Sequence, residues 1–209
     1  NHKPMLDLYE KVRNNPKVKK AFVGSGIRYD MILEKTGNEE TNKNNKNYLR
    51  EVIKHHVSGR LKVAPEHSSD EVLKFMRKPS FNLFEQLNTE FIKINNEEKL
   101  NQQLIPYFIS SHPGSKSEDM ANLAIKTKDM NFRLEQVQDF TPTPMTLATV
   151  VYYSGYHPYT LEKIYTARNK NAKENQRKFF FWYKREFKNS IIQDLKSKGR
   201  EDLIKKLFK

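Results

Sequence analysis

The sequence predicts an α/β chain: a partial, open (β/α) barrel followed by a helical C-terminal extension. Three observations point there. Short runs of β-forming residues alternate with helix-period patterns, the signature of parallel strands joined by crossover helices. Glycine, proline or a polar cluster punctuates the end of each strand run. Beyond residue 160 the alternation stops, and a basic helical pattern takes over.

Taken in order, Met5, Leu8, Tyr9 and Val12 carry the spacing of one amphipathic helix face, with Pro16 past its end. Lys20-Ala-Phe-Val-Gly24 reads as a first strand that closes in Ser25-Gly26-Ile27-Arg28-Tyr29. Residues 36–47, with the run Asn42-Lys-Asn-Asn-Lys-Asn47, read as a solvated loop or a weak extension of the helix expected over 48–56. Arg60-Leu-Lys-Val-Ala64 is the second strand, stopped by Pro65. Ser68 and Glu71 have capping-box spacing before a helix whose inner face is Val72, Phe75 and Met76. After Pro79, the residues Phe84, Leu87, Phe91 and Ile94 form the stripe of a further helix. The third strand covers 104–110, with Pro106 marking an irregular position, and breaks at His112-Pro113-Gly114. Ser115 and Glu118 again have capping-box spacing, before a helix burying Met120, Leu123, Ala124, Thr127 and Met130. The fourth strand spans about 134–140. Four strand–helix units fall short of an eight-stranded barrel and make two-thirds of a six-stranded open one. The expected division is residues 1–155 for the barrel part and 156–209 for the basic extension.

Thirteen Phe and ten Tyr promise a real core, although only 36% of residues are apolar. The formal charge of +13 is uneven, because residues 160–209 carry 15 Lys+Arg against 6 Asp+Glu. Such a field attracts nucleic acid or other anionic surfaces, so a nucleic-acid partner is one reading of the extension; a solvated basic surface is the simpler one. In the run Lys178-Phe-Phe-Phe-Trp-Tyr183, core packing with the basic residues facing solvent is favoured over base stacking. No run approaches the ~18–20 apolar residues of a membrane span, and no signal peptide is visible. The expectation is a cytoplasmic protein without membrane contact. Asn1 in place of an initiator Met suggests a chain that begins mid-protein. With no cysteine, disulfides and thiolate ligands are excluded within these residues.

In parallel α/β sheets function collects where strands end. That rule singles out Ser25 and Arg28, Glu66 and His67, Ser110, Ser111 and His112, Gln138 and Asp139, and Lys62 within its strand. Gly24-Ser-Gly-Ile-Arg28 lacks the remaining glycines and the Lys-Ser/Thr of a P-loop, so Arg28 as an anchor for a carboxylate or sugar hydroxyl is preferred to phosphate binding. Glu66-His67 has the residue types of a general acid/base pair, which leaves a self-contained hydrolase or isomerase as a further reading. The histidines show no metal-ligand spacing.

Four longer runs carry a resemblance: Arg60-Leu-Lys-Val-Ala-Pro-Glu-His67, Val72-Leu-Lys-Phe-Met-Arg-Lys-Pro79, Pro106-Tyr-Phe-Ile-Ser-Ser-His-Pro-Gly114 and Gln136-Val-Gln-Asp-Phe-Thr-Pro-Thr-Pro-Met-Thr146. In this order they closely resemble the YgiQ-type radical S-adenosylmethionine (SAM) proteins, a bacterial family of unknown substrate, over nearly the whole chain. The resemblance implies that the four strands are the third to sixth of a six-stranded radical-SAM-type barrel. It also implies an intact enzyme that binds a 4Fe-4S cluster and reductively cleaves S-adenosylmethionine to a 5′-deoxyadenosyl radical, which abstracts hydrogen from an unknown substrate. Ser25 and Arg28 would then lie near SAM or substrate, and Lys62, Glu66 and His67 near the ribose. Ser110, Ser111, His112, Gln138 and Asp139 would approach the adenine; the family pattern has Gly where Ser110 stands. The cluster loop C-x-x-x-C-x-x-C and the Gly-Gly-Glu motif are missing. The implied partner is therefore the N-terminal part of the same protein, and neither cofactor is expected to bind stably to this chain alone.

Overall fold

The computed structural model describes residues 1–134 and 137–209. The chain is α/β, with a small, open, parallel three-stranded sheet in the order β1 (Arg60–Glu66), β2 (Gln103–Ser110), β3 (Val137–Asp139). Ten α-helices accompany these strands among the described residues. They are α1 (Lys3–Arg13), α2 (Tyr29–Leu33), α3 (Glu39–His55), α4 (Asp70–Met76), α5 (Asn82–Glu97), α6 (Ser117–Asp129), α7 (Leu147–Ser154), α8 (Lys170–Arg177), α9 (Arg185–Ser197) and α10 (Glu201–Phe208). A 3₁₀ turn, Lys178–Phe181, follows α8.

The expected partial barrel, with the third to sixth strands of a radical-SAM-type fold, is not what forms. Lys20–Gly24 is not a strand. Val23 N–H donates to His56 O (2.8 Å), and Ala21 O accepts from His56 Nδ1 (2.8 Å), so the segment is tied to the end of α3. Phe22 stands half in solvent beside a run of lysines. With one face lacking burial and its backbone groups bonded to a helix end, this segment has no ladder to join. The fourth expected strand shrinks to the three described residues of β3; Glu135 and Gln136 lie outside the described residues.

The chain divides into two compact units. The first comprises Asn1–Ala64 and Asn82–Pro106. Its core is helical: Tyr29 and Ile32 of α2, Tyr48, Leu49, Val52 and Ile53 of α3, and Phe84, Leu87, Phe91 and Ile94 of α5 are all buried. Tyr29 meets Phe84 edge-on at 6.3 Å. The Asn-rich stretch belongs to α3, because Asn38 caps it by accepting from Thr41 N–H (2.8 Å). Early Glu39 and Glu40 and late Lys54 and His55 suit the helix dipole.

The second unit comprises Pro65–Phe81 and Tyr107–Lys209. Phe108 of β2 is buried, and Ser110 pairs with Asp139 in the parallel β2–β3 register. Helix α6 buries Met120, Leu123 and Ala124 and packs against α10, α9, α8 and the 3₁₀ turn. Phe179 and Phe180 are buried in that layer with Ile191, Leu195, Leu203 and Leu207. Lys178 is drawn in with them; its ammonium donates to Ser190 O, Ser190 Oγ and Asn175 Oδ1 at 3.1–3.2 Å. No described helix is long and apolar enough to cross a membrane.

Phe84→Ala removes a ring with no exposed surface. It should cost about 3–5 kcal/mol, and the exposed Met31→Ala less than about 0.5 kcal/mol, read from urea midpoints at constant slope.

Candidate functional site

Within the second unit, the ends of β1, β2 and β3 meet at a cavity of about 570 Å³ lined by Glu66, Ile109, His112, Gln138, Asp139 and Phe140, among others. How the chain leaves each strand decides what faces it.

β1 leaves through a tight turn. Glu66 has φ +68, and His67 N–H donates to Pro65 O (2.8 Å), so the chain closes over three residues. Glu66 stays at the cavity, where Lys78 Nζ lies 3.3 Å from its carboxylate. His67 turns inward and is fully buried. Ser69 N–H donates to His67 Nδ1 (3.0 Å), which assigns the ring proton to Nε2. Nε2–H then reaches Ser115 Oγ (3.2 Å), and the Ser115 hydroxyl donates to Gln176 Oε1 (2.9 Å). Gln176 closes the network by accepting from Ser111 N–H (2.8 Å) and donating to Ser115 O (2.6 Å). Burial pushes His67 down to about 3, with nearby His112 adding to it, so the imidazole is neutral.

β2 leaves through a second left-handed residue, Ser111 (φ +62). His112 follows. Its Nδ1 lies 3.0 Å from Pro113 O, and a carbonyl only accepts, so Nδ1 carries the proton. The lone pair is left on Nε2, on a ring that lines the cavity and packs edge-on against Phe140 at 4.9 Å. Burial lowers the His112 pKa, which keeps that lone pair available. Gly114 takes φ +89 two residues on, and a Cβ there would meet Phe75 at 3.0 Å; only glycine fits. At the end of β3, Asp139 accepts from Ser110 Oγ (2.5 Å) and pairs with Arg177 Nη1 (3.1 Å).

The cavity thus offers a neutral imidazole acceptor, two carboxylates each held by one cation, and apolar walls including Phe75 and Phe140. It suits a ligand that is part aromatic or apolar and part hydrogen-bond donor. Among the described residues no group of three or more His, Asp or Glu is arranged to hold a metal ion.

Of the residues singled out from sequence, Glu66, His112, Gln138 and Asp139 line this cavity. His67, Ser110 and Ser111 are buried behind it. Glu66 and His67, adjacent in sequence, therefore do not face the cavity as a pair. Ser25, Arg28 and Lys62 belong to the first unit. Arg28 there forms a two-pronged pair with Asp30 (2.9 and 2.6 Å) with its side chain 71% exposed, and Ser25 and Lys62 are exposed. Sequence reasoning missed Lys78, Ser115, Gln176 and Arg177. Ser115 looked like a helix cap, but the α6 cap position is Lys116, whose N–H donates to Asp119 Oδ2 (2.9 Å). Gln176 and Arg177 carry no local signal, because their partners lie tens of residues away.

Fold and site define an α/β chain with a cavity of mixed polar and apolar lining at its strand ends. Comparison with known proteins places it among long, uncharacterised bacterial relatives. Residues 135–206 match a domain of unknown function, DUF3362. The chain is 58% identical over 207 residues, 99% of its length, to a UPF0313 protein of Bacteroides thetaiotaomicron, of which it covers 33%. It is 57% identical over 207 residues, again 99% of its length, to a UPF0313 protein of Porphyromonas gingivalis, of which it covers 33%. A UPF0313 protein of Clostridium perfringens is 42% identical over 203 residues, 97% of this chain and 30% of that protein. The chain thus spans about a third of the length of these relatives.

The buried histidines set a pH dependence. His67 binds its proton at about 3 when folded and at about 6.5 when unfolded. Between those values the unfolded state holds more protons, so stability falls as pH is lowered through that window, at up to ~1.4 kcal/mol per pH unit. His112, shifted the same way, adds to the slope. Chemical denaturation from pH 7 to pH 4 should show this loss, and His67→Gln should flatten it.

Proposed function

We propose that this chain is part of a radical SAM enzyme of the length of its UPF0313 relatives, and that the strand-end cavity holds the adenosyl end of S-adenosylmethionine or the substrate beside it. The observation that carries the reading is the meeting of Glu66, His112, Gln138 and Asp139 at one cavity. The resemblance in the Arg60, Val72, Pro106 and Gln136 runs gives those residues to the cofactor side of the enzyme.

The two groups that the resemblance implies fare differently against these residues. Thiolates hold iron–sulfur clusters, and the chain has no cysteine. The 4Fe-4S cluster does not fit here, and a segment outside these 209 residues has to supply it. An adenosyl group does fit the donor set. His112 Nε2 would accept from an exocyclic amine or a hydroxyl, and the Phe75 and Phe140 rings would flank a base. Glu66, held by Lys78, and Asp139, held by Arg177, would accept from sugar hydroxyls. When bound, SAM supplies the reactive adenosyl group; the residues of this chain bind, orient and shield it.

After anaerobic reconstitution with iron and sulfide, this chain should stay colourless, while a full-length relative should develop iron–sulfur absorbance. In that full-length protein, His112→Ala should weaken SAM binding about tenfold in calorimetry, the loss of one buried hydrogen bond. Iron–sulfur absorbance in the chain alone, or a full-length protein that binds neither iron nor SAM, would refute the proposal.

A further inference from the structure

The aromatic residues split into two populations. The Phe-rich run that follows α8 is largely interior, with Phe179 and Phe180 buried. Five of the ten tyrosines, by contrast, lie between residues 152 and 165, and four of them are exposed: Tyr153 (66%), Tyr156, Tyr159 (77%) and Tyr165. Their backbone is held. Tyr156 and Lys163 form an antiparallel bridge, Ile164 N–H donates to Gly155 O, and His157 N–H donates to Glu162 O, both at 2.8 Å. Gly114 N–H donates to Tyr165 O (2.9 Å), fastening the hairpin to the loop after β2. Single exposed rings need no explanation, but four within one short stretch of bonded backbone point to an interaction surface.

The surrounding charge favours one kind of partner. Residues 150–173 contain Lys163, Arg168, Lys170 and Lys173 against the single acid Glu162. Lys163 stands across the bridge from Tyr156. The Arg168 guanidinium lies beside the hairpin, 3.2 Å from where a Cβ on Gly155 would sit. Its Nε donates to Thr166 Oγ1 (3.1 Å), a neutral partner, and no acid pairs with it among the described residues. Planar rings spaced along a basic strip are the recognition chemistry of a single-stranded nucleic acid: each base stacks on a ring while the cations follow the phosphates. We propose that residues 153–170 form a binding surface for single-stranded nucleic acid. The His157 ring of the hairpin is 5.9 Å from Phe75, a wall of the strand-end cavity, so the surface adjoins the cavity rim. The surface stands whether or not that cavity takes SAM, and its test involves neither SAM nor iron.

The test is fluorescence anisotropy with labelled oligouridylate, oligothymidylate and a duplex of equal length, titrated with the 209-residue chain at two salt concentrations. Single strands should bind more tightly than the duplex, with affinity falling as salt rises. Tyr153→Ala and Tyr159→Ala should each weaken binding about tenfold, with unchanged urea midpoints because both rings are exposed. Tyr159→Phe should retain the affinity, since stacking survives loss of the hydroxyl. Arg168→Gln should weaken binding and reduce the salt slope by about one. The uridylate and thymidylate arms tell RNA from DNA. Equal binding of duplex, binding that is indifferent to the tyrosine substitutions, or no oligonucleotide binding would each overturn the proposal. In the last case, self-association in sedimentation velocity would assign the surface to a second copy, and flotation with phosphatidylserine vesicles to a lipid surface.

Discussion

Gln176 uses both ends of its side-chain amide to hold the loop that leaves β2. Its oxygen accepts from Ser111 N–H and from the Ser115 hydroxyl, and its nitrogen donates to Ser115 O. All of these groups are buried, so each would be left unsatisfied if α8 moved away, at a cost of ~1–3 kcal/mol per group. The next residue, Arg177, uses the same helix end to hold the Asp139 carboxylate at the end of β3. The C-terminal extension is therefore the support on which the strand ends of the second unit are set.

That support explains why two unfavourable backbone conformations persist at adjacent strand ends. Glu66 and Ser111 both take φ near +65, a conformation that costs ordinary residues of order 1–3 kcal/mol. Each is followed by an inward-turned histidine. The two imidazoles then differ through their partners alone. His67 accepts at Nδ1 from a backbone N–H and gives its proton to the Ser115–Gln176 chain, so its bonding capacity is used up internally. His112 gives its proton to Pro113 O and keeps a lone pair at the cavity. The first histidine has its bonding capacity filled, while the second keeps an acceptor on the cavity wall and the Ser111 hydroxyl behind it is buried without a partner among the described residues.

The α/β class and several helix faces were legible in the sequence, the sheet that forms in place of a barrel was not, and the missing quantity was long-range. The alternating burial of Leu61 and Val63 in β1 and the apolar stripe of α5 follow from period alone. Strand-end reasoning singles out Glu66, His112, Gln138 and Asp139, which the fold brings to one cavity. The Lys20–Gly24 run failed because β-propensity describes a residue's fit to a pleated, half-buried surface, and here the end of α3 took the backbone hydrogen bonds instead. Ser115 has the spacing of a helix cap, and nothing local shows that its hydroxyl is claimed by His67 and Gln176. Strand-end reasoning also singles out Ser25 and Arg28, after the Lys20–Gly24 run, and Lys62 within its strand, and all three belong to the first unit. Arg28 instead follows a segment that is not a strand, and it has its own carboxylate two residues away.

The two aromatic runs show how neighbours, and not composition, decide burial. Within the 178–183 run, Lys178–Phe181 form a 3₁₀ turn against α6, α8 and α9, and that layer covers Phe179 and Phe180. The 152–165 run has no such cover. Tyr152 is buried against Phe140, and beyond it the chain turns into a short hairpin too narrow to form an interior of its own. Rings at the end of α7 and on such a hairpin stay in solvent, each forgoing ~25 cal/mol for every Å² of apolar surface left wet. Four tyrosines doing so on bonded backbone, with Lys163 and Arg168 beside them, make a surface whose apolar faces and positive charge are both uncompensated by the described residues of its own unit. A single partner with stacked rings and repeated negative charge satisfies both at once.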